Sequence, residues 1–319
     1  MASPFSVSSG TGNFIKGAWI INMGMRQQFT KTMQYLSDND ERCITLLNDI
    51  GVFAFRHLKE KYPDRVYNLG ILEPASISIC AGLSLTGFIP FFHTIAPFIV
   101  ERGYEQLKDD FGYQNINGNF ISVGASYDYS GLGMTHYCPG DVGALMQIPN
   151  MQIIVPGTEE EFDSLLRSEY DNGRPTYFRL ADVSNTESRN VIFSSAEIIK
   201  KGKKGTVVAV GNMLDRVAAA AEGLDVTVLY YTTLKPFDGV TLRENTCTRK
   251  ILLCEPYYYG VLAGEVIHAF SGEPVRLEFA GIPHQILDSY GTADEMDQNL
   301  GMTKDAIQEK LTKMVQEGE

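Results

Sequence analysis

Short apolar runs of the kind that form fully buried strands, each followed by a helix-period segment, recur along the chain and narrow the folds open to it. Residues 43–47 (Cys-Ile-Thr-Leu-Leu) precede a helical pattern over 51–61, and residues 121–125 precede a Gly-rich loop and a helix over 141–147. The run Gln152-Ile-Ile-Val-Pro156 leads into a helix over 158–170. There Thr158 is the expected N-cap, Glu161 its reciprocal capping-box partner, and Phe162, Leu165 and Leu166 the apolar face. Buried strands alternating with helices predict an α/β fold with a mainly parallel sheet.

The pattern breaks into a polar stretch over 181–204, ending in Lys200-Lys-Gly-Lys-Lys-Gly205, and restarts at Thr206-Val-Val-Ala-Val210. A second α/β series follows. Its expected strands cover 226–230, 250–254 and 275–279, its helices 214–222 and 262–270, and an amphipathic helix over 303–317 ends it, with Ile307, Leu311 and Met314 on one face. The expected division is a flexible arm at 1–17, one domain over 18–185 and a second over 186–319, and the Lys200–Lys204 cluster reads as a solvated linker.

Composition limits the partners. A formal charge of -12 disfavours nucleic acid and anionic membranes, both polyanions. The five cysteines, Cys43, Cys80, Cys138, Cys247 and Cys254, show neither zinc-ribbon nor C-x-x-C spacing, which suits reduced thiols and no metal site of their own. The most apolar stretch, 88–100, is interrupted by two prolines and His93 and is shorter than the roughly 18 to 20 residues that span a bilayer. A cytoplasmic protein is the resulting expectation.

The common catalytic signatures are missing: neither a phosphate loop, nor H-E-x-x-H, nor a G-x-S-x-G elbow occurs. The informative stretch is 68–83, Asn-Leu-Gly-Ile-Leu-Glu-Pro-Ala-Ser-Ile-Ser-Ile-Cys-Ala-Gly-Leu, where a carboxylate opens a small-residue helix. Glu73 falls at the helix start with Pro74 in the first turn. Taken locally, it either favours the helix dipole or serves a site.

In Gly70-Ile-Leu-Glu-Pro-Ala75 the chain resembles the transketolases and their relatives, 1-deoxyxylulose-5-phosphate synthase and the β subunits of 2-oxoacid dehydrogenases. The resemblance runs on through Gly87-Phe-Ile-Pro-Phe-Phe-His-Thr-Ile-Ala-Pro-Phe98, Arg102-Gly-Tyr-Glu-Gln106, Thr135-His136, Ile148-Pro-Asn-Met151 and Pro156-Gly-Thr-Glu-Glu160. It includes Arg174-Pro-Thr-Tyr-Phe-Arg179, Gly211-Asn-Met-Leu214 and Leu234-Lys-Pro-Phe-Asp238, in family order over roughly residues 25 to 300. It implies a thiamine diphosphate pyrimidine-binding fold followed by a transketolase C-terminal-domain fold.

Carried over residue by residue, the resemblance gives Glu73 the contact with N1' of the cofactor's aminopyrimidine, where a carboxyl favours the imino tautomer. Phe98 matches the aromatic on which the pyrimidine stacks, and Ile95 stands where relatives usually carry a second aromatic. Asp49, in Leu47-Asn-Asp-Ile-Gly51, matches an aspartate that approaches the cofactor, though a strand-end Asp is also a common turn former. Arg102 and Tyr104 fall in a helix that in relatives contacts cofactor and neighbouring subunit. His136 matches the histidine of a Thr-His-Gln motif that faces the substrate carbonyl, suited to polarising it or stabilising an alkoxide. Here the glutamine is Tyr137, and an acidic-Gly-Pro element is replaced by Leu132-Gly-Met134. Arg179 matches a phosphate-binding arginine, with a structural salt bridge as its alternative. His93 either lines the site or is a core histidine.

The family binds Mg2+ and diphosphate through a Gly-Asp-Gly element and a later Asn, hard ligands suited to that ion. No such element occurs here. The resemblance therefore implies a second, diphosphate-binding chain of the transketolase N-terminal type, assembled with this one as an α2β2 heterotetramer with interfacial cofactor sites. The implied reaction moves a two-carbon ketol unit between sugar or sugar phosphate substrates. The alternatives are a 2-oxoacid-decarboxylating β subunit and a non-catalytic binding subunit. The Glu255-Pro-Tyr-Tyr-Tyr259 segment stands out as a partner or substrate surface.

Overall fold

The computed structural model describes residues 24–316, and the arm expected at 1–17 lies outside them. In the first half, α1 (Met25–Asn39), β1 (Cys43–Leu47), α2 (Arg56–Lys61), β2 (Val66–Asn68), α3 (Glu73–Leu85), β3 (Ile89–Ile95) and α4 (Ala96–Gln106) follow one another. A π-helical stretch, Leu107–Tyr113, extends α4 before β4 (Gly118–Val123), a 3-10 turn at Met134–His136, α5 (Asp141–Met146), β5 (Gln152–Ile154), α6 (Glu159–Glu169) and β6 (Pro175–Arg179). Every residue of β1, β3, β4 and β6 is buried, as strands covered by helices on both faces require. One face packs Phe91 and Phe178 against Phe29 and Leu36 of α1 and Phe162 of α6. The other packs Phe92, Phe120 and Tyr177 against Ile77 of α3, Ile99 of α4 and Leu145 of α5.

The second half holds β7 (Glu197–Lys200), β8 (Thr206–Val210), α7 (Leu214–Ala220), β9 (Thr227–Tyr231), β10 (Thr233–Lys235), α8 (Gly239–Asn245) and β11 (Lys250–Tyr258). Then come α9 (Ala263–Ala269), β12 (Arg276–Ile282), α10 (Ala293–Leu300) and α11 (Lys304–Gln316). The first sheet has the order β10-β5-β6-β4-β3-β1-β2 and the second β12-β11-β8-β9-β7. Both are parallel except for one antiparallel edge strand each, β10 on β5 and β7 on β9. The two-sheet α/β architecture expected from the sequence is the observed one. β10 adds something the pattern did not predict: a strand of the second series completes the first sheet and ties the halves together.

Four local expectations need correction. The helix expected over 51–61 begins only at Arg56, after a turn entered by Gly51 at φ 79°. Lys200 is not in a solvated linker: it ends β7, and its ammonium donates to the Ala221 and Leu224 carbonyls beyond α7. At α6, Thr158 caps Glu161 N–H as expected, but the Glu161 carboxylate accepts from Gly157 N–H at 2.8 Å and from the Tyr230 hydroxyl at 2.6 Å. The Glu255–Tyr259 segment is mostly strand rather than surface, because β11 continues through Tyr258 and Glu255 and Tyr257 are fully buried. Glu255 accepts from Leu262 N–H at 2.9 Å and from Gly260 N–H, and burial pushes its pKa up to about 7. Among the described residues no helix is long and apolar enough to cross a membrane.

Candidate active site

Parallel sheets place functional groups where strands end and helices begin, and that edge gathers part of the expected set. Glu73 is the first residue of α3, where a carboxylate meets the positive end of the helix, with Pro74 beside it in the first turn. Its side chain is only 3% exposed although Ile71 and Leu72 before it are 68% and 57% exposed. Phe98 lies in the first turn of α4, and Arg102 follows one turn later. The Arg102 guanidinium carbon stands 3.6 Å from the Phe98 ring centre, and Nη1 donates to Glu73 Oε1 at 3.1 Å. One planar cation thus covers an aromatic face and satisfies a buried carboxylate together.

His136 reaches the same corner, its ring centre 5.8 Å from that of Phe98 and inclined by 59°. It ends the 3-10 turn Met134–His136, which Gly133 enters at φ 78°, a conformation glycine adopts without penalty. Nδ1 lies 2.9 Å from the Thr135 hydroxyl. Glu73, Phe98, Arg102 and His136 therefore form one continuous group of contacts.

Four expected residues lie outside that group. Asp49 lies two residues beyond β1 at φ 57°, where its N–H donates to Asn68 Oδ1 at 2.9 Å and its carboxylate accepts from Asn68 Nδ2 at 2.8 Å. It bridges the ends of β1 and β2, as a turn former does. His93 is a core histidine on the opposite face of the sheet, 5.0 Å from the Phe29 ring, with Nδ1 donating to Ile121 O at 2.8 Å. Burial pushes its pKa down to about 4, so it is neutral. Ile95, 3% exposed, belongs to the buried cluster beneath α1, on which Phe98 also packs.

Arg179 is 1% exposed; Nε donates to Asp141 Oδ2 at 2.7 Å and Nη2 to Ser126 Oγ at 2.7 Å. Asp141, also fully buried, accepts in addition from the Tyr177 hydroxyl at 2.9 Å. A small open depression lined by Ser126, Asp128 and Asn212 lies beside Arg179. The Arg179 guanidinium is held in a buried pair, which matches the structural salt bridge given as the alternative to a phosphate role.

Sequence reasoning missed Asp141, whose only signal was an acid opening a helix after Gly140, and it missed the contact of Glu101 with buried Cys138 at 3.7 Å. Among the described residues no cluster of three or more His, Cys, Asp or Glu side chains could hold a metal ion.

A buried acid beside an aromatic face, where parallel strands end and helices begin, marks the candidate site of this α/β protein. Residues 22–183 match the family model described as transketolase, pyrimidine binding domain, and residues 194–307 the one described as transketolase, C-terminal domain. The chain belongs to the transketolase family. It is similar to an uncharacterized 33.6 kDa protein in the fasciation locus of Rhodococcoides fascians, at 37% identity over 279 residues covering 86% of this chain and 89% of that one. It is also similar to a subunit of the apulose-4-phosphate transketolase of Phocaeicola vulgatus, at 26% identity covering 88% of this chain and 94% of that one. A split-gene transketolase, solved as an inactive β4 tetramer, shares the fold with a TM-score of 0.82 at 24% identity, over 92% of this chain and 98% of the other.

Proposed function

We propose that this chain is the C-terminal subunit of a cytoplasmic, thiamine diphosphate-dependent transketolase, which transfers a two-carbon ketol unit between sugar substrates. In this reading it is active only with a partner chain that carries the diphosphate and Mg2+ site, in an α2β2 assembly. The observation that carries the reading is the Glu73–Arg102–Phe98 arrangement. Arg102 acts as a stand-in: a flat, N–H-bearing group stacked on Phe98 and donating to Glu73. An aminopyrimidine offers the same stacking face, and in its imino tautomer or N1'-protonated form the same N–H towards Glu73, so the residues present fit that ring. When bound, the cofactor supplies a carbon nucleophile that cleaves and re-forms the bond beside a ketose carbonyl.

This chain's part follows from the positions of its side chains. Glu73 holds a proton at the pyrimidine nitrogen, and its burial keeps water from competing for that contact. Phe98 fixes the ring plane. His136, beside Phe98, donates to the substrate oxygen on which negative charge develops. Exposed apolar residues along and beside α3, namely Ile71, Leu72, Ile79, Leu85 and Phe88, are of the kind that an obligate partner covers. Support for a separate partner also comes from the apulose-4-phosphate transketolase relative, which is named as one subunit of its enzyme and which this chain matches over nearly its whole length.

The test is titration of thiamine diphosphate with Mg2+ into this chain alone and into its mixture with a diphosphate-domain chain, for wild type and Glu73→Ala. Tight binding and ketose cleavage in the wild-type mixture only are expected. Turnover by the isolated chain would remove the need for a partner. Binding with cleavage of 2-oxoacids but not ketoses would move the reading to a decarboxylating β subunit, and binding without any turnover to a non-catalytic one.

A further inference from the structure

The loop that carries His136 departs from the transketolase pattern at two places, Leu132-Gly-Met134 and Tyr137. Both departures touch the second domain. Tyr137 is fully buried, and its hydroxyl lies 2.8 Å from Ser130 O and 2.9 Å from Ser289 O. A phenol has one proton to donate, so that proton is shared between a carbonyl of its own loop and one from the segment joining β12 to α10. Four residues earlier, Gly133 lies under the ring of Tyr290, so close that a Cβ there would collide with it.

Further contacts close the same seam. Gly291 N–H donates to Ser130 O at 3.4 Å, the Tyr127 hydroxyl donates to Asp297 of α10, and Tyr258 N–H donates to Pro139 O at 2.9 Å. Tyr127 and Tyr137 pack with Ile282, Leu287 and Met296 of the second domain, with Met134 against them. Within the first domain the loop's backbone is closed by Cys138 N–H to Ser126 O, with Leu132 N–H to Tyr129 O and His136 N–H to Gly133 O inside it.

We propose that residues 287–297 of the second domain are a clamp that sets the place of His136, and that Tyr137 is the positioning residue through which the clamp acts. The second domain is then part of the substrate end of the site as well as of the assembly. The proposal rests on the reading of His136 as the residue that faces substrate.

Tyr137→Phe removes the shared proton while leaving the ring in place, and Tyr290→Ala removes the exposed ring over Gly133. Hydrogen exchange is read on this chain alone, comparing peptides over 126–140 with peptides over β3, so the answer does not depend on which reaction is catalysed. Loss of one hydrogen bond predicts exchange about fivefold faster in the loop with β3 unchanged. In the assembled enzyme, kcat is expected to fall in both variants with the affinity for thiamine diphosphate unaltered. The clamp is refuted if loop exchange in both variants equals wild type, or rises only together with β3. Faster exchange with unaltered kcat and KM would refute the positioning role. Should Tyr137→Phe fail to fold, Tyr290→Ala, altered at a 71% exposed side chain, decides the matter.

Discussion

Arg102 pairs with Glu73 at 3.1 Å while lying flat on Phe98, so the two contacts proposed for the cofactor's pyrimidine are already made by a side chain of the protein. The ring and the guanidinium cannot share that face. Arg102 is 45% exposed at its side chain and has room to swing out, whereas Glu73 is fixed at the start of α3.

Removing the guanidinium spares the pyrimidine the work of displacing it. A half-exposed ion pair of this kind contributes about 0.5–1 kcal/mol, so Arg102→Ala is expected to tighten thiamine diphosphate binding about threefold in the assembled complex. Calorimetric titration checks this. Binding weakened tenfold or more would make Arg102 a direct cofactor ligand instead of a place-holder.

His136 meets the Phe98 ring, whereas the Glu73 carboxylate is engaged by Arg102, so the loss of His136 separates binding from chemistry. His136→Ala is expected to lower kcat about 10²- to 10³-fold, the usual effect of deleting one donor to a developing oxyanion. Cofactor affinity should stay within experimental error of wild type. Steady-state kinetics with calorimetry on the same preparation reads both, and a parallel loss of cofactor binding would place His136 among the cofactor contacts.

The order of strands and helices was legible because the buried strands are mostly apolar runs followed by helix-period segments, with a clear start signal in places, as Thr158 is for α6. Glu73 was visible locally only as an acid at a helix start beside a proline, and its site role came from the resemblance. For His93 and Arg179 motif position left two readings open, because their surroundings are decided by the face of a strand and by partners far along the chain. His93 is turned towards Phe29, 64 positions earlier, and Arg179 meets Asp141, 38 positions earlier. Edge strands β7 and β10 escaped notice because they are three or four residues long and half-polar. Tyr137 was visible as a departure from the family, but its use was not, since Ser289 lies 152 positions away.

The Arg179–Asp141 pair separates a structural from a substrate role. Both side chains are at most 1% exposed, so removing one leaves the other charged and unpaired in the interior. Asp141→Ala is expected to cost about 3–5 kcal/mol, read as a lowered midpoint in urea unfolding. Arg179→Met combined with Asp141→Leu should recover most of that loss, because a well-packed apolar pair can replace a buried ion pair. A double variant as unstable as Asp141→Ala alone would mean that Ser126 and Tyr177, the remaining partners, carry the junction.

His93 gives the fold a defined response to acid. Burial holds its pKa at about 4 in the folded chain against an ordinary value of 6.5, so between those pH values the unfolded chain binds a proton that the folded chain does not. Stability therefore falls as the pH drops from 6.5 towards 4, and His93 adds no further loss below that. The full difference corresponds to about 3 kcal/mol. Carboxylates titrate in the same window, so the measurement is differential: urea midpoints at pH 7 and pH 4.5 for wild type and His93→Leu. His93→Leu removes the titrating ring while keeping an apolar filling against Phe29 and Phe55. The drop between the two pH values should shrink in the variant. An equal drop in both proteins would mean that His93 takes up its proton in the folded state, contrary to its burial.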